Sequence, residues 1–185
     1  GYLRGFVQEE RCFFNFLETS KSFASFNIDC PQSKTQVCDF EDLPLNSGSV
    51  DSLVCLAALH HVDNRDQVFQ EFYRIVKPGG KVLIVDVEEG SNTANFLNGF
   101  VNDYNSMGHH GDFINDSLVD KLNKNKLLVS SYNQHSMQWD FDEECHMVNF
   151  CRGLFGLDKA TDEVILAGIK EHLTPQYQLK KVSLN

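Results

Sequence analysis

Between Leu43 and Glu88 the chain reads LPLNSGSVDSLVCLAALHHVDNRDQVFQEFYRIVKPGGKVLIVDVE, and no other stretch constrains the fold as strongly. The apolar run from Val50 to Leu59 is too continuous for a strand with one wet face, and a second run covers Lys81 to Val87. Between them, Asp66 to Val76 has helical spacing, with Phe69, Phe72, Tyr73 and Val76 forming the stripe expected to lie on a sheet. Strand, helix, turn, strand is one βαβ unit. Its strands read as buried on both faces, as in a parallel sheet, and its crossover is expected to be right-handed.

The helix boundaries have local causes. Asp63 or Asn64 caps the first turn. Pro78 stops the helix near Val76 because it restricts the preceding residue and has no N–H. Gly79 and Gly80 supply the dihedral freedom for a sharp turn into the next strand.

Upstream, residues 2–17 fit a helix, or a short strand over Phe13–Leu17. Ser22–Asp29 predicts a strand ending at Asp29, and Thr35–Cys38 a very short one ending at Asp39. Downstream, helices are expected over Thr93–Tyr104, Asn115–Leu122, Glu143–Leu154 (capped by Asp140 or Asp142) and Thr161–Leu173 (capped by Asp158 or Thr161). Leu127–Tyr132 reads as a strand and Tyr177–Leu184 as a final edge strand, while Asn105–Asp112 is a loop rich in Gly and His. The order predicts an α/β, three-layer Rossmann-like fold, a mostly parallel sheet with an antiparallel terminal strand. A single domain over 1–185 is expected, with a helical insertion at about 140–173.

Composition narrows the function. A hydrophobic share of 42% with 15 Phe predicts a packed core, and a net charge of -10 argues against a nucleic-acid surface. No run reaches the length of a membrane span, and the N-terminus does not read as a signal peptide. The six Cys include no C-x-x-C pair, which fits isolated thiols in a reducing, cytoplasmic compartment. The expected partner is a small molecule, neither nucleic acid nor membrane, with a protein partner or homodimer left open.

In an open parallel sheet, ligands bind beyond the carboxyl ends of the strands. Asp29, Asp39 with Phe40, and Ala57-Ala58-Leu59-His60-His61 fall at such ends. An acid ending the second strand can hydrogen-bond a ribose diol, and Asp39 and Phe40 can meet an adenine edge and face. The same acids also fit ordinary solvated loops. His109 and His110 are adjacent, point differently and have no third ligand evident in the sequence, so no metal is expected.

Three motifs then resemble one family. Leu43-Pro44-Leu45 with Ser49-Val50-Asp51, Ala58-Leu59-His60-His61, and Glu71-Phe72-Tyr73-Arg74-Ile75-Val76-Lys77-Pro78-Gly79-Gly80 are similar, in order, to core motifs of the class I S-adenosylmethionine-dependent methyltransferases. Phe26-Asn27-Ile28-Asp29 resembles the family's second strand with its ribose-binding acid, and Val37 to Pro44 the segment that contacts adenine. Trp139 to Leu157 resembles the helical insertion of some small-molecule members. The chain departs at the glycine-rich cofactor loop, since the matching Asn15–Lys21 contains no glycine. There Glu18 corresponds to the motif's acidic residue, facing the cofactor's ammonium group; alternatively residues 2–17 are only a leading helix and the first strand is absent.

The resemblance implies S-adenosylmethionine as cofactor, held by Glu18, Asp29, Asp39, Phe40, Ala57 and His60. It implies His60 or His110 as the base wherever a small-molecule acceptor must lose a proton. Asp86 is expected to face the acceptor, and Tyr104, His109, His110 and Trp139 lie in segments that can close over it. The missing glycines support a second reading, a non-catalytic methyltransferase-like binding or partner domain without normal cofactor binding.

Overall fold

The computed structural model describes residues 12–25, 31–178 and 181–184. The chain divides into two compact units. The first comprises the described residues of Gly1–Leu53 with Asn64–Val82, the second Val54–Asp63 with those of Leu83–Asn185.

In the first unit, strand β1 (Phe14–Glu18) runs parallel to β2 (Ser33–Val37), in register from Phe14 opposite Ser33 to Glu18 opposite Val37. The strand alternative for Phe13–Leu17 is therefore the one realised; residues 2–11 lie outside the described residues. The expected strand over Ser22–Asp29 is corrected for residues 22–25, because Lys21–Ala24 forms a short helix, α1. Ala24 N–H donates to Ser20 C=O at 2.9 Å and Ser25 N–H to Lys21 C=O at 3.1 Å, the i to i−4 bonds that a strand cannot make. Residues 26–30, including Asp29, lie outside the described residues.

Strands β3 (Val50–Leu56) and β4 (Val76–Val85) pair with each other, and helix α2 (Arg65–Ile75) connects them in sequence. Asn64 caps α2 by accepting the Gln67 N–H. Val68, Phe69, Phe72 and Ile75 form its buried stripe, whereas Tyr73, expected inside, is 50% exposed one position off that stripe. The expected burial of both strand faces is also corrected. Of β3 only Cys55 is buried, and Val54 and Leu83 are largely exposed.

β4 already begins at Val76, so the Lys77–Gly80 turn lies within it. Gly79 has φ +80°, and a Cβ on Gly80 would stand 2.7 Å from the Asp51 carbonyl oxygen, so both positions call for glycine.

The motif acid and arginine on α2 clamp the loop before β3. Glu71 accepts the Leu43 N–H at 2.8 Å and pairs with Arg74, with Nε to Oε1 at 2.7 Å and Nη2 to Oε2 at 2.6 Å. Arg74 also donates to the carbonyls of Leu45 (2.7 Å) and Leu43 (2.9 Å).

The second unit carries a single 3-10 turn, Leu59–His61, after β3. A helical run follows β4, made of α3 (Asn92–Asn95), a π-helical segment (Phe96–Val101) and α4 (Asn102–Tyr104), with Ser91 as its N-cap. Then come α5 (Ser117–Lys124), β5 (Trp139–Phe141), α6 (Glu144–Phe155), α7 (Asp162–His172), β6 (Gln176–Gln178) and β7 (Lys181–Leu184). Phe96, Met147, Cys151, Leu157, Ile165 and Ile169 form the centre of this unit's core, each at zero exposure.

Three expectations here are corrected. Leu127–Tyr132 is not a strand: among the described residues it pairs with none, and Leu128 is 85% exposed. Glu143 occupies the N-cap of α6 without a side-chain cap bond, so neither Asp140 nor Asp142 serves there. The final strand is a hairpin, β6 and β7, whose second arm lies between β5 and β6 rather than at an edge. The terminal strands are antiparallel, as expected.

Candidate functional site

In the second unit, the 3-10 turn after β3 presents His60 and His61. Ala57, just before it, is held at φ +48° with its N–H on the Val85 carbonyl at 2.8 Å. His60 is 6% exposed, and its Nδ1 lies 2.6 Å from Asp86 Oδ1, a carboxylate with no exposed side-chain surface. The other oxygen of Asp86 accepts the His60 backbone N–H at 3.2 Å. Burial by itself would raise the Asp86 carboxyl, but the hydrogen bond and charge of His60, with the backbone N–H groups of Val87 and His60, hold it below the usual value. An ionised Asp86 requires the proton on Nδ1 of His60, which leaves Nε2 to accept.

His109 reaches the same place from the loop after α4. Its ring centroid lies 5.5 Å from that of His60 and 5.1 Å from that of His61, while His60 and His61 are 4.0 Å apart. The loop is fixed by two asparagines of the helical run: Asn102 Oδ1 accepts the His109 backbone N–H at 3.0 Å, and Asn98 brackets Gly111. The Asn98 Nδ2 donates to the Gly111 carbonyl at 2.8 Å and its Oδ1 accepts the Gly111 N–H at 2.7 Å. That pair of bonds fixes which way the amide faces. Its oxygen therefore meets His109 Nδ1 at 3.2 Å, so Nδ1 carries the hydrogen and Nε2 is free.

Gly111 is needed because a Cβ there would stand 2.8 Å from the Phe113 ring and 3.1 Å from His60. Burial, then the neighbouring imidazoles, depress His109 to about 4. Burial and His60 lower His61 against the opposing pull of Asp86. Beside the cluster, a cavity of about 190 Å³ is lined by Glu89, Ala94, Asn95, Asn98 and Asp112 among others.

His60, His61 and His109 converge, whereas His110 is exposed and stands outside this imidazole group. The third imidazole that the sequence does not reveal comes from His109, and the partner of His60 is Asp86. Neither has a local signal, because loop 105–112 is placed by Asn98 and Asn102, residues that read as ordinary helix surface.

In the first unit, β1 ends at Glu18 and β2 runs into Asp39 and Phe40. Glu18 and Asp39 meet at adjacent carboxyl ends, where the Cys38 N–H donates to the Glu18 carbonyl at 2.9 Å. Burial, then the charges of Asp39, Asp42 and Glu18, raise the Cys38 thiol, so three carboxylates act on one spot. Asp39 Oδ1 accepts the Glu41 N–H at 2.9 Å. Asp51 pairs with Lys77 at 2.8 Å on the surface.

Comparison with known proteins agrees with the motifs. The family described as "Methyltransferase domain" matches residues 14–84. The tRNA (carboxymethyluridine(34)-5-O)-methyltransferase of Macaca fascicularis is 31% identical over 97 residues, 49% of this chain and 14% of that protein. The ubiquinone/menaquinone biosynthesis C-methyltransferase of Geotalea daltonii is 39% identical over 51 residues, 28% of this chain and 22% of that protein. The chain thus spans less than a quarter of the length of these two relatives. Among solved structures, the YcgJ protein of Bacillus subtilis superposes with a TM-score of 0.56 at 17% identity, covering 92% of this chain and 76% of that one. Residues 14–84 thus carry the match to the methyltransferase-domain family, and the fold is the Rossmann-like α/β fold shared with the solved neighbours. Among the described residues, no helix is long and apolar enough to cross a membrane.

Proposed function

We propose that this chain is a catalytic S-adenosylmethionine-dependent methyltransferase acting on a small molecule. The observation that carries the reading is the pair of acids, Glu18 and Asp39, on neighbouring parallel strand ends. These carboxylate acceptors suit the adenosine half of the cofactor: Glu18 for the ribose diol, and Asp39 with Phe40 for the adenine. The cofactor supplies an electrophilic methyl group on a sulfonium. The segment after β1 has no glycine, so the methionine half is not held by a glycine cradle there.

His60 is the proposed base. Its Nε2 takes the acceptor's proton, while Asp86 orients the ring and stabilises the resulting imidazolium. The role falls to His60 rather than to His110, which is exposed and lacks such a partner among the bonds described. The net charge of -10 favours a small molecule over an RNA acceptor.

The test is transfer of a labelled methyl group from S-adenosylmethionine to a panel of small hydroxy, amino and activated-carbon acceptors, with a tRNA preparation alongside. Labelled small-molecule product, lost in His60→Ala, supports the reading. Label in the tRNA alone overturns the substrate class. Transfer to no acceptor favours the binding-domain reading, which rests on the absent glycines.

A further inference from the structure

The imidazole cluster can do more than accept a proton. One ring nitrogen from each of His60, His61 and His109 lies within 4.8 Å of the others. Imidazole nitrogen is a preferred ligand for zinc-like ions, and sites of three protein ligands characteristically keep a coordination position open. Zn–N bonds of about 2.0–2.1 Å put ligand nitrogens about 3–3.5 Å apart, so the rings need to close by roughly an ångström. His61 is exposed, while His60 is buried.

A second observation points the same way. In metal sites the non-ligating ring nitrogen is held by an oxygen acceptor that fixes tautomer and orientation. Two of the three rings have that support. Asp86 Oδ1 holds His60 Nδ1 at 2.6 Å, and Asn98 Oδ1 faces His109 Nδ1 at 3.2 Å, with Asn98 itself locked by its two bonds to Gly111. Both rings thus offer Nε2, and His109 is carried on a backbone held by Asn102.

We propose that His60, His61 and His109 form a site for one divalent transition-metal ion of the zinc type, with Asp86 and Asn98 as positioning residues. This goes beyond the methyl-transfer reading, and its readout, Co(II) binding, is independent of methyl transfer. The ion and a proton compete for the same His60 nitrogen. A metal-loaded site therefore does not use His60 as a base and would instead activate an acceptor oxygen by coordination.

The test uses untagged full-length chain, stripped with a chelator and titrated with Co(II), whose visible absorption reports coordination, followed by displacement with Zn(II). The expected result is one Co(II) per chain in a four- or five-coordinate spectrum. His61→Ala and His109→Ala should each weaken binding by about tenfold or more. Cys145→Ser, which alters the separate exposed Glu143, Cys145 and His146 group, should leave it unchanged. Circular dichroism checks folding of each variant. In the unaltered protein, Co(II) should broaden the imidazole NMR signals of His60, His61 and His109 together, a readout independent of any variant. No stoichiometric binding, wild-type affinity in both histidine variants, loss of binding in Cys145→Ser, or broadening confined to other histidines would overturn the proposal.

Discussion

Asp86 holds His60 twice, through Nδ1 at 2.6 Å and through the backbone N–H at 3.2 Å, so one buried carboxylate sets both the ring and the turn that carries it. Asp86→Asn keeps the shape and removes the charge. Leaving a buried polar group poorly satisfied costs about 1–3 kcal/mol, and that loss is expected in denaturant melts. The kcat for methyl transfer is expected to fall about a hundredfold, the low end for losing general-base action. Affinity for S-adenosylhomocysteine should hold. Unchanged stability and rate in this variant would contradict the assigned role.

The Glu71 and Arg74 clamp predicts a specific acid sensitivity. The Arg74 hydrogen bond is the main cause holding the Glu71 carboxyl below its usual value, against the effect of burial. Its folded-state pKa therefore lies below the unfolded one. The stabilisation is complete above the ordinary carboxylate range and is lost as pH falls through that range towards the folded value. Glu71→Gln should lower stability at neutral pH by about 2–3 kcal/mol, since it strands a partly buried guanidinium, and should flatten the acid limb of a stability–pH profile. Parallel profiles for parent and variant would remove the clamp from the account.

Ala57 stores backbone strain next to the histidines. A left-handed conformation costs an L-residue roughly 1–2 kcal/mol, and Ala57 sits at φ +48°. Ala57→Gly relieves this but raises unfolded-state entropy, so the net gain should be about 0.5–1 kcal/mol. Thermal melting should show a higher midpoint, and a lower one would mean that the methyl group is packed rather than strained.

The thiols should separate by reactivity. Burial pushes Cys55 and Cys151 up to about 12, while Cys12 and Cys145 are exposed. Native-state alkylation read by peptide mass spectrometry should label Cys12 and Cys145, and reach Cys55 and Cys151 only after unfolding.

What the sequence reveals is what has a local cause. The span from Glu71 to Gly80 is legible because each residue acts on near neighbours or on the backbone: the carboxylate and guanidinium three apart, Pro78 closing the helix, Gly79 at positive φ. The stripe on α2 is misjudged at Tyr73 because an aromatic one position off the seam looks apolar but has its surface in water. The ribose-binding acid read at Asp29 lies outside the described residues, whereas Glu18, read in the sequence as facing the cofactor's ammonium group, ends a paired strand. The helical bonds at Ala24 and Ser25 rule out the expected strand there, and the pairing of Glu18 with Val37 sets Glu18 beside Asp39. The histidine cluster depends on Asn98 and Asn102 pinning a distant loop, and no periodicity encodes that.

The proposed adenosine site at Glu18 and Asp39 is open to direct measurement. Isothermal titration of the intact chain with S-adenosylhomocysteine tests it most directly, with Glu18→Ala and Asp39→Ala in parallel. Saturable one-to-one binding is expected, weakened by roughly ten- to a hundredfold in Glu18→Ala, the loss expected for charge-assisted hydrogen bonds to a diol. A folded chain that gives no heat of binding, or binds equally well without Glu18, would contradict it.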